Sequence, residues 1–190
     1  MAEELVVLVD EQNNELGTME KLAAHSANTP LHRAFSLFLF DGKGELLVQQ
    51  RSRFKKTWPL VWSNSCCGHP GPGESTENAI YRRLEDELGI TEAQFEVVLP
   101  GYRYRFERDG IVENEICPVY AGRCDQAPKP NPAEVEAVRY IGWTDFLNIA
   151  ASGNKDYSEW SLDEALQLQE ALLLDKDKRF QQLWNLWYNK

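Results

Sequence analysis

The sequence has no CxxC pair, no GxGxxG after a strand pattern, no internal repeat, no low-complexity tract, and no apolar run near the length of a membrane span. The missing CxxC weakens the case for a closed structural zinc site, and the missing glycine fingerprint argues against a Rossmann unit. Cations are also short: 20 Lys and Arg stand against 30 Asp and Glu, a formal net charge of -10. Such an acidic surface repels a phosphate backbone, so no nucleic-acid partner is expected, and any phosphate must meet a local group of Lys and Arg or a metal. The opening MAEELVVLVDEQ is acidic, and its apolar run is too short for a signal peptide or anchor. No membrane partner is therefore expected, and the expected compartment is the cytoplasm. Thiols stay reduced there, which makes Cys66, Cys67, Cys117 and Cys124 core, ligand or catalytic residues rather than disulfide partners.

Apolar and aromatic bulk is plentiful. Hydrophobic residues make up 43% of the chain, with six Trp, seven Tyr and eight Phe, so burial can offset the entropy of ordering. A length of 190 residues suits one core, and a single domain is expected, with a monomer favoured.

Residues 5–9, LVVLV, read as a buried strand followed by a polar turn, EQNNELG. EKLAAHSA has helical propensity, with Lys21 and His25 on one face. RAFSLFLF, the DGKG turn and ELLVQQR form the clearest hairpin pattern. STENAIYRRLEDELGI is the strongest helix, with a Ser75/Thr76 cap, Ile80, Leu84 and Leu88 four apart, and a stop at Gly89. FEVVLP, YRYRFER and ENEICPVYAGR read as three strands, the last two joined at Asp109 and Gly110, and AVRYIGW reads as another. Between them QAPKPNPAE is a loop. TDFLNIA is helical, and a longer helix opens on a capping box from Ser161 to Glu164. The C-terminal helices, with Trp184 and Trp187, either cap a site or pack on the core. Strands alternating with few, separated helices predict an α+β or mixed α/β fold.

Histidine occurs three times, as His25, His32 and His69, each in or beside a turn or element end. One such residue alone reads best as solvated or hydrogen-bonded; three beside other polar groups point to a metal site. Glu113 and Glu115, two apart on a strand, project to one face about 7 Å apart. The following ICPVY reads as buried, so two carboxylates entering a core need a positive partner. Three His and one or two Glu form a mixed N/O set suited to Zn²⁺, Mn²⁺ or Fe²⁺, with octahedral geometry favouring Mn²⁺ or Mg²⁺. The loop VWSNSCCGHPGPGES sets His69 two positions after Cys67, and its thiols read as a structural zinc site or as a reactive group.

From Gly68 the chain reads Gly, five residues, Glu74, seven residues, then RRLEDELGI, which resembles the Nudix box. Gly68, Glu74, Arg82, Leu84, Glu87, Gly89 and Ile90 match, whereas Arg83 and Asp86 stand where the hydrolases carry glutamates. A cation in place of a metal-holding carboxylate removes a ligand and adds a phosphate-binding charge. The helix therefore suits holding a diphosphate better than cutting it. EKLAAH, TPLHRAF, NSCCGHP, YRYRF, ENEICPVY and YSEW, in order from about residue 17 to Trp160, resemble the type I isopentenyl-diphosphate isomerases.

That resemblance implies a Nudix-like fold, with central mixed β-sheets flanked by helices. It divides the domain into an N-terminal extension over 1–30, a core over about 31–150 and C-terminal helices over about 151–190. It implies interconversion of isopentenyl and dimethylallyl diphosphate in isoprenoid synthesis, so the partner is a small-molecule diphosphate. Cys67 and Glu115 would be the acid/base pair on opposite faces of the substrate, Tyr104 would hydrogen-bond Glu115, and Trp160 would offer its π face to a carbocation. His25, His32, His69, Glu113 and Glu115 would ligate a first metal, Mn²⁺ or Zn²⁺. Glu87 and the Cys67 carbonyl would reach a Mg²⁺ on the diphosphate, whose charge Lys21, Arg51, Lys55 and Arg83 would meet. Cys66 reads as packing. A Nudix pyrophosphohydrolase and a zinc-holding binding module are the alternatives.

Overall fold

The computed structural model describes residues 4–174; Trp184 and Trp187 lie outside them. Two sheets organise this region. One has the order β2 (Glu15–Glu20), β1 (Leu5–Val9), β3 (His32–Arg33), β10 (Ile111–Ile116), β9 (Arg103–Arg108). The other runs β12 (Val135–Gly142), β5 (Glu45–Arg51), β4 (Phe35–Phe40), β11 (Val119–Arg123), β8 (Gln94–Leu99). Two short strands branch from it, β6 (Trp62–Ser63) on β5 and β7 (Cys66–Gly68) on β4. Both sheets are mixed, because β10 runs parallel to β3 and β11 parallel to β4. The helices are α1 (Lys21–Ala24), α2 (Thr76–Leu88), α3 (Trp143–Ser152) and α4 (Glu159–Leu174). Among the described residues, no helix is long and apolar enough to cross a membrane.

Strand β4 explains the layering. All six of its residues are buried, as a strand covered on both faces requires. Period two sends Phe35, Leu37 and Leu39 into a cluster with Ile80, Leu84 and Leu88 of α2. The alternate row sends Phe38 and Phe40 against Trp143 and Phe146 of α3 and Leu168 of α4. Ser36 is the one polar residue of the strand. Helix α2 starts where Ser75 accepts a 3.2 Å bond from the Asn78 amide and stops at Gly89, whose φ of 61° a side chain would strain.

Several elements depart from the sequence pattern. The hairpin of β4 and β5 is joined only at Phe40 and Leu46 and then forks. Ser65 fills the fork: its hydroxyl accepts from Leu39 N at 2.7 Å and donates to Leu47 O at 2.6 Å. The ENEICPVYAGR segment is two strands in two sheets, split at Cys117 and Pro118, because proline lacks the N–H that a continuing ladder needs. Helix α4 begins at Glu159, with Ser158 accepting from the Leu162 amide, so Ser161 and Glu164 form no capping box; both are fully buried inside the helix. The EQNNELG turn is shorter than expected, since β2 takes up Glu15 to Gly17. Only Lys21–Ala24 of EKLAAHSA is helical, and His25 caps it.

Candidate active site

Register brings the first row of side chains together. Glu115 on β10 sits directly opposite Tyr104 on β9 and beside His32 on β3. The Tyr104 hydroxyl donates to Glu115 Oε2 at 2.7 Å, while His69 Nε2 lies 2.9 Å and His32 Nε2 3.4 Å from Glu115 Oε1. Two residues earlier on the same face, Glu113 Oε2 lies 2.9 Å from His25 Nε2. The segment carrying His25 is tied to β10 by Thr29, whose hydroxyl donates to Val112 O at 2.6 Å.

The five side chains His25, His32, His69, Glu113 and Glu115 are all buried, and each offers a ligand atom within 4.8 Å of the others. The three imidazole centroids are 5.0 to 5.4 Å apart. His25 Nδ1 faces Lys21 O at 2.6 Å and His32 Nδ1 faces Pro30 O at 2.9 Å. A carbonyl can only accept, so both Nδ1 atoms carry the proton and both Nε2 lone pairs point inward, the arrangement of metal-ligating imidazoles. His32 Nε2 and Glu113 Oε2 are near partners in distance but misaligned as hydrogen bonds, and remain buried and unsatisfied. Such orphaned acceptors around one point fit a divalent cation. Burial pushes the His69 imidazole down to about 3, so it stays neutral as a ligand must. Burial works to raise Glu115, but the neighbouring His32 and His69 outweigh it and hold the carboxyl well below its ordinary value.

Cys67 comes from the other sheet. Strand β7 pairs Cys67 with Ser36 and Cys66 with Leu37, so the neighbouring thiols point apart. Cys66 is buried in the α2 cluster, and all four cysteines are free. The Cys67 thiol donates to Asn64 Oδ1 at 3.1 Å and lies 3.3 Å from Ser36 Oγ. Burial, with the nearby Glu164 carboxyl, pushes the thiol up to about 12, so it is protonated at neutral pH.

One cavity of about 620 Å³ connects these groups. Cys67, His69, Tyr104, Glu113, Glu115 and Trp160 line it together with the charged residues Lys21, Arg51, Lys55, Arg83 and Glu87. Trp160 is 3% exposed; its ring stacks on Tyr104 at 6.0 Å with an interplanar angle of 18°, and the Arg51 guanidinium sits 5.7 Å from its centre. Arg83 and Glu87, a pair that would be solvated on an exposed helix face, are both buried and joined by a charge-assisted contact. Arg83 also reaches Glu134 at 2.9 Å, and Lys55 meets the same carboxylate at 2.5 Å. Lys21 is held by Glu4 at 2.9 Å. Gln49 donates to Glu87 Oε2 at 2.9 Å and leaves its own Oε1 buried without a partner, a second orphaned acceptor beside a carboxylate. Gly68 is needed where β7 passes α2, since a Cβ there would come within 2.9 Å of Arg83 Cγ and 3.1 Å of the Phe35 ring.

His32 is fully buried and does not line the cavity, and every other candidate residue does. Sequence reasoning passes over Glu4, Gln49 and Glu134 in the charged part, and Ser36, Asn64 and Glu164 behind the thiol. Of these, Asn64 carries the available signal, because it lies inside NSCCGHP; the rest are brought in by tertiary packing.

The fold and this site define a class. The NUDIX domain family matches residues 30–162, and the chain belongs to it. Solved structures agree on the fold: DR0079 from Deinococcus radiodurans superposes with a TM-score of 0.67 at 21% identity over 88% of this chain and 99% of that one. The MutT protein from Methanosarcina mazei superposes with a TM-score of 0.61 at 20% identity over 74% and 94%. Within the family, the chain belongs with the isopentenyl-diphosphate Delta-isomerases. It is 44% identical to that enzyme of Saccharopolyspora erythraea over 168 residues, 88% of this chain and 87% of the relative. The Citrobacter koseri enzyme is 47% identical over 87% and 92%, and that of Salmonella heidelberg 50% identical over 78% and 81%.

Proposed function

We propose that the chain interconverts isopentenyl and dimethylallyl diphosphate, with Cys67 and Glu115 as the acid/base pair. The reaction forms one C–H bond at the terminal methylene, leaves positive charge on the tertiary carbon, and breaks a C–H bond on the neighbouring methylene as the double bond shifts. An unactivated alkene is a weak base, so it needs two positioned proton carriers, each contributing about 10²–10⁴-fold. The observation that supports the pair is their approach to one cavity from two different sheets. Tyr104 holds Glu115 and extends the reach of its proton; Trp160 faces the developing charge with its ring, an interaction of about 0.5–2 kcal/mol, and keeps water from it.

His25, His32, His69, Glu113 and Glu115 would hold Mn²⁺ or Zn²⁺, and Glu87 with the Cys67 carbonyl would hold Mg²⁺ beside the diphosphate. When bound, these cations supply positive charge that anchors the head group and sets the proton affinity of Glu115. Lys21, Arg51, Lys55 and Arg83 bind the diphosphate oxygens directly and fix the hydrocarbon end between Cys67 and Glu115. The chain acts as a monomer in the cytoplasm. Purified protein with Mg²⁺ and Mn²⁺ should convert isopentenyl diphosphate into an acid-labile allylic product, and Cys67→Ala should lose that activity. Absence of product from the unsubstituted protein with either metal sinks the reading, and phosphate release from nucleoside diphosphate compounds would replace it with a hydrolase.

A further inference from the structure

Behind Cys67 lies a closed polar group that the reaction as described does not use. Ser36 Oγ has three neighbours: Asn64 Nδ2 at 2.9 Å, Glu164 Oε2 at 2.7 Å and Cys67 Sγ at 3.3 Å. Ser36 and Glu164 are fully buried, Glu164 lies in the inward stripe of α4 between Trp160 and Leu168, and its Oε1 has no partner.

A serine hydroxyl has one hydrogen to give and can accept two. Asn64 Nδ2 can only donate, so it takes one accepting position. An ionised Glu164 would claim the Ser36 hydrogen and turn it from the sulfur. A neutral Glu164 donates into the second accepting position and leaves that hydrogen to Cys67. The groups that act on Glu164 are Asp163 on its own helix and Glu115 on β10, and an ionised Glu164 would in turn bear on Cys67 of β7, Cys117 and Tyr102. All of these are acidic, and no cation appears among them. Burial first, opposed by Ser36 and reinforced by Glu115 and Asp163, pushes the Glu164 carboxyl well above its ordinary value.

We infer that Ser36 is a positioning residue whose hydroxyl donates to Cys67 Sγ, and that Glu164 acts as a neutral carboxylic acid that keeps this hydrogen aimed at the sulfur. The inference rests on the proposed role of Cys67. Whichever of Cys67 and Glu115 gives its proton first, the sulfur is an anion once per turnover. The Asn64 oxygen facing it can only accept, so Ser36 is the donor within reach, and a bond to a charged partner is stronger than one to a neutral thiol.

The test measures kcat, KM and thermal melting for S36A, S36T, E164Q and C67A, with infrared spectra of the wild type and E164Q. Ser36→Ala should lower kcat about 10- to 100-fold per folded molecule with KM within threefold. Ser36→Thr should restore most of it, and Glu164→Gln, whose amide can still donate to Ser36, should stay near wild type. The wild type at neutral pH should show a carboxylic-acid C=O band that E164Q lacks. An unchanged kcat in S36A, equal losses in S36A and S36T, or absence of the acid band overturns the inference. Full activity in C67A would instead overturn the reading of Cys67 as an acid/base group.

Discussion

The Tyr104 hydroxyl donates to Glu115 Oε2 at 2.7 Å while its ring stacks on Trp160, so one side chain joins the buried Glu115 carboxylate to the aromatic wall. The other oxygen of Glu115 faces His69 and His32. Burial and the Glu115 charge keep the phenol well above its ordinary value, so it holds its proton at neutral pH. Tyr104→Phe keeps the stack and removes the hydroxyl. It should lower kcat about 10²-fold with little change in KM or melting temperature, which steady-state kinetics and calorimetry will read.

Metal removal should be visible without any assay of turnover. Chelated protein should melt lower, and added Mn²⁺ should raise the midpoint saturably, by the equivalent of about 2.7 kcal/mol at a hundredfold excess over Kd. His32→Ala, which removes a fully buried ligand candidate, should flatten that titration. A midpoint equally responsive in the variant would remove His32 from the ligand set.

The Arg83–Glu87 contact stabilises the helix and prepares the charged part of the cavity. Arg83→Met leaves the buried Glu87 without its cation and leaves Glu134 paired with Lys55 alone. Breaking a buried pair from one side costs about 3–5 kcal/mol, so both a lower urea midpoint and a higher KM for the diphosphate are expected. Arg83→Lys should recover charge but not the forked geometry, and rescue only part of KM.

Stability against pH should reveal Glu164. Its folded-state value lies above the ordinary 4.5, so folding takes up a proton above that pH. The stabilisation is fully present below about pH 4 and declines as pH rises toward the folded value. Glu164→Gln cannot titrate, so the midpoint difference in its favour should be near zero at pH 4 and widen toward pH 8. Parallel midpoint curves for the two proteins would contradict a neutral Glu164.

Much of the site was legible in the sequence because it lies on local patterns. Alternation placed Glu113 and Glu115 on one face, and the Ser75 to Gly89 signals bounded α2. What escaped depends on contacts between distant segments. Nothing near RAFSLFLF says that Ser65, more than twenty residues on, will open its hairpin. Pro118 is visible as a ladder breaker, but not that the chain changes sheets there. Ser161 and Glu164 have capping-box spacing, and only the packing of α4 against β4 turns Glu164 inward toward Ser36.

The proposed reaction moves one proton in and one proton out across one cavity. Proton NMR of isopentenyl diphosphate incubated with the metal-loaded protein in D₂O tests it most directly. The product should be dimethylallyl diphosphate carrying solvent deuterium in its new methyl group, lost in both Cys67→Ala and Glu115→Gln. Unchanged substrate, free phosphate in place of the allylic diphosphate, or undiminished turnover in either variant would contradict it.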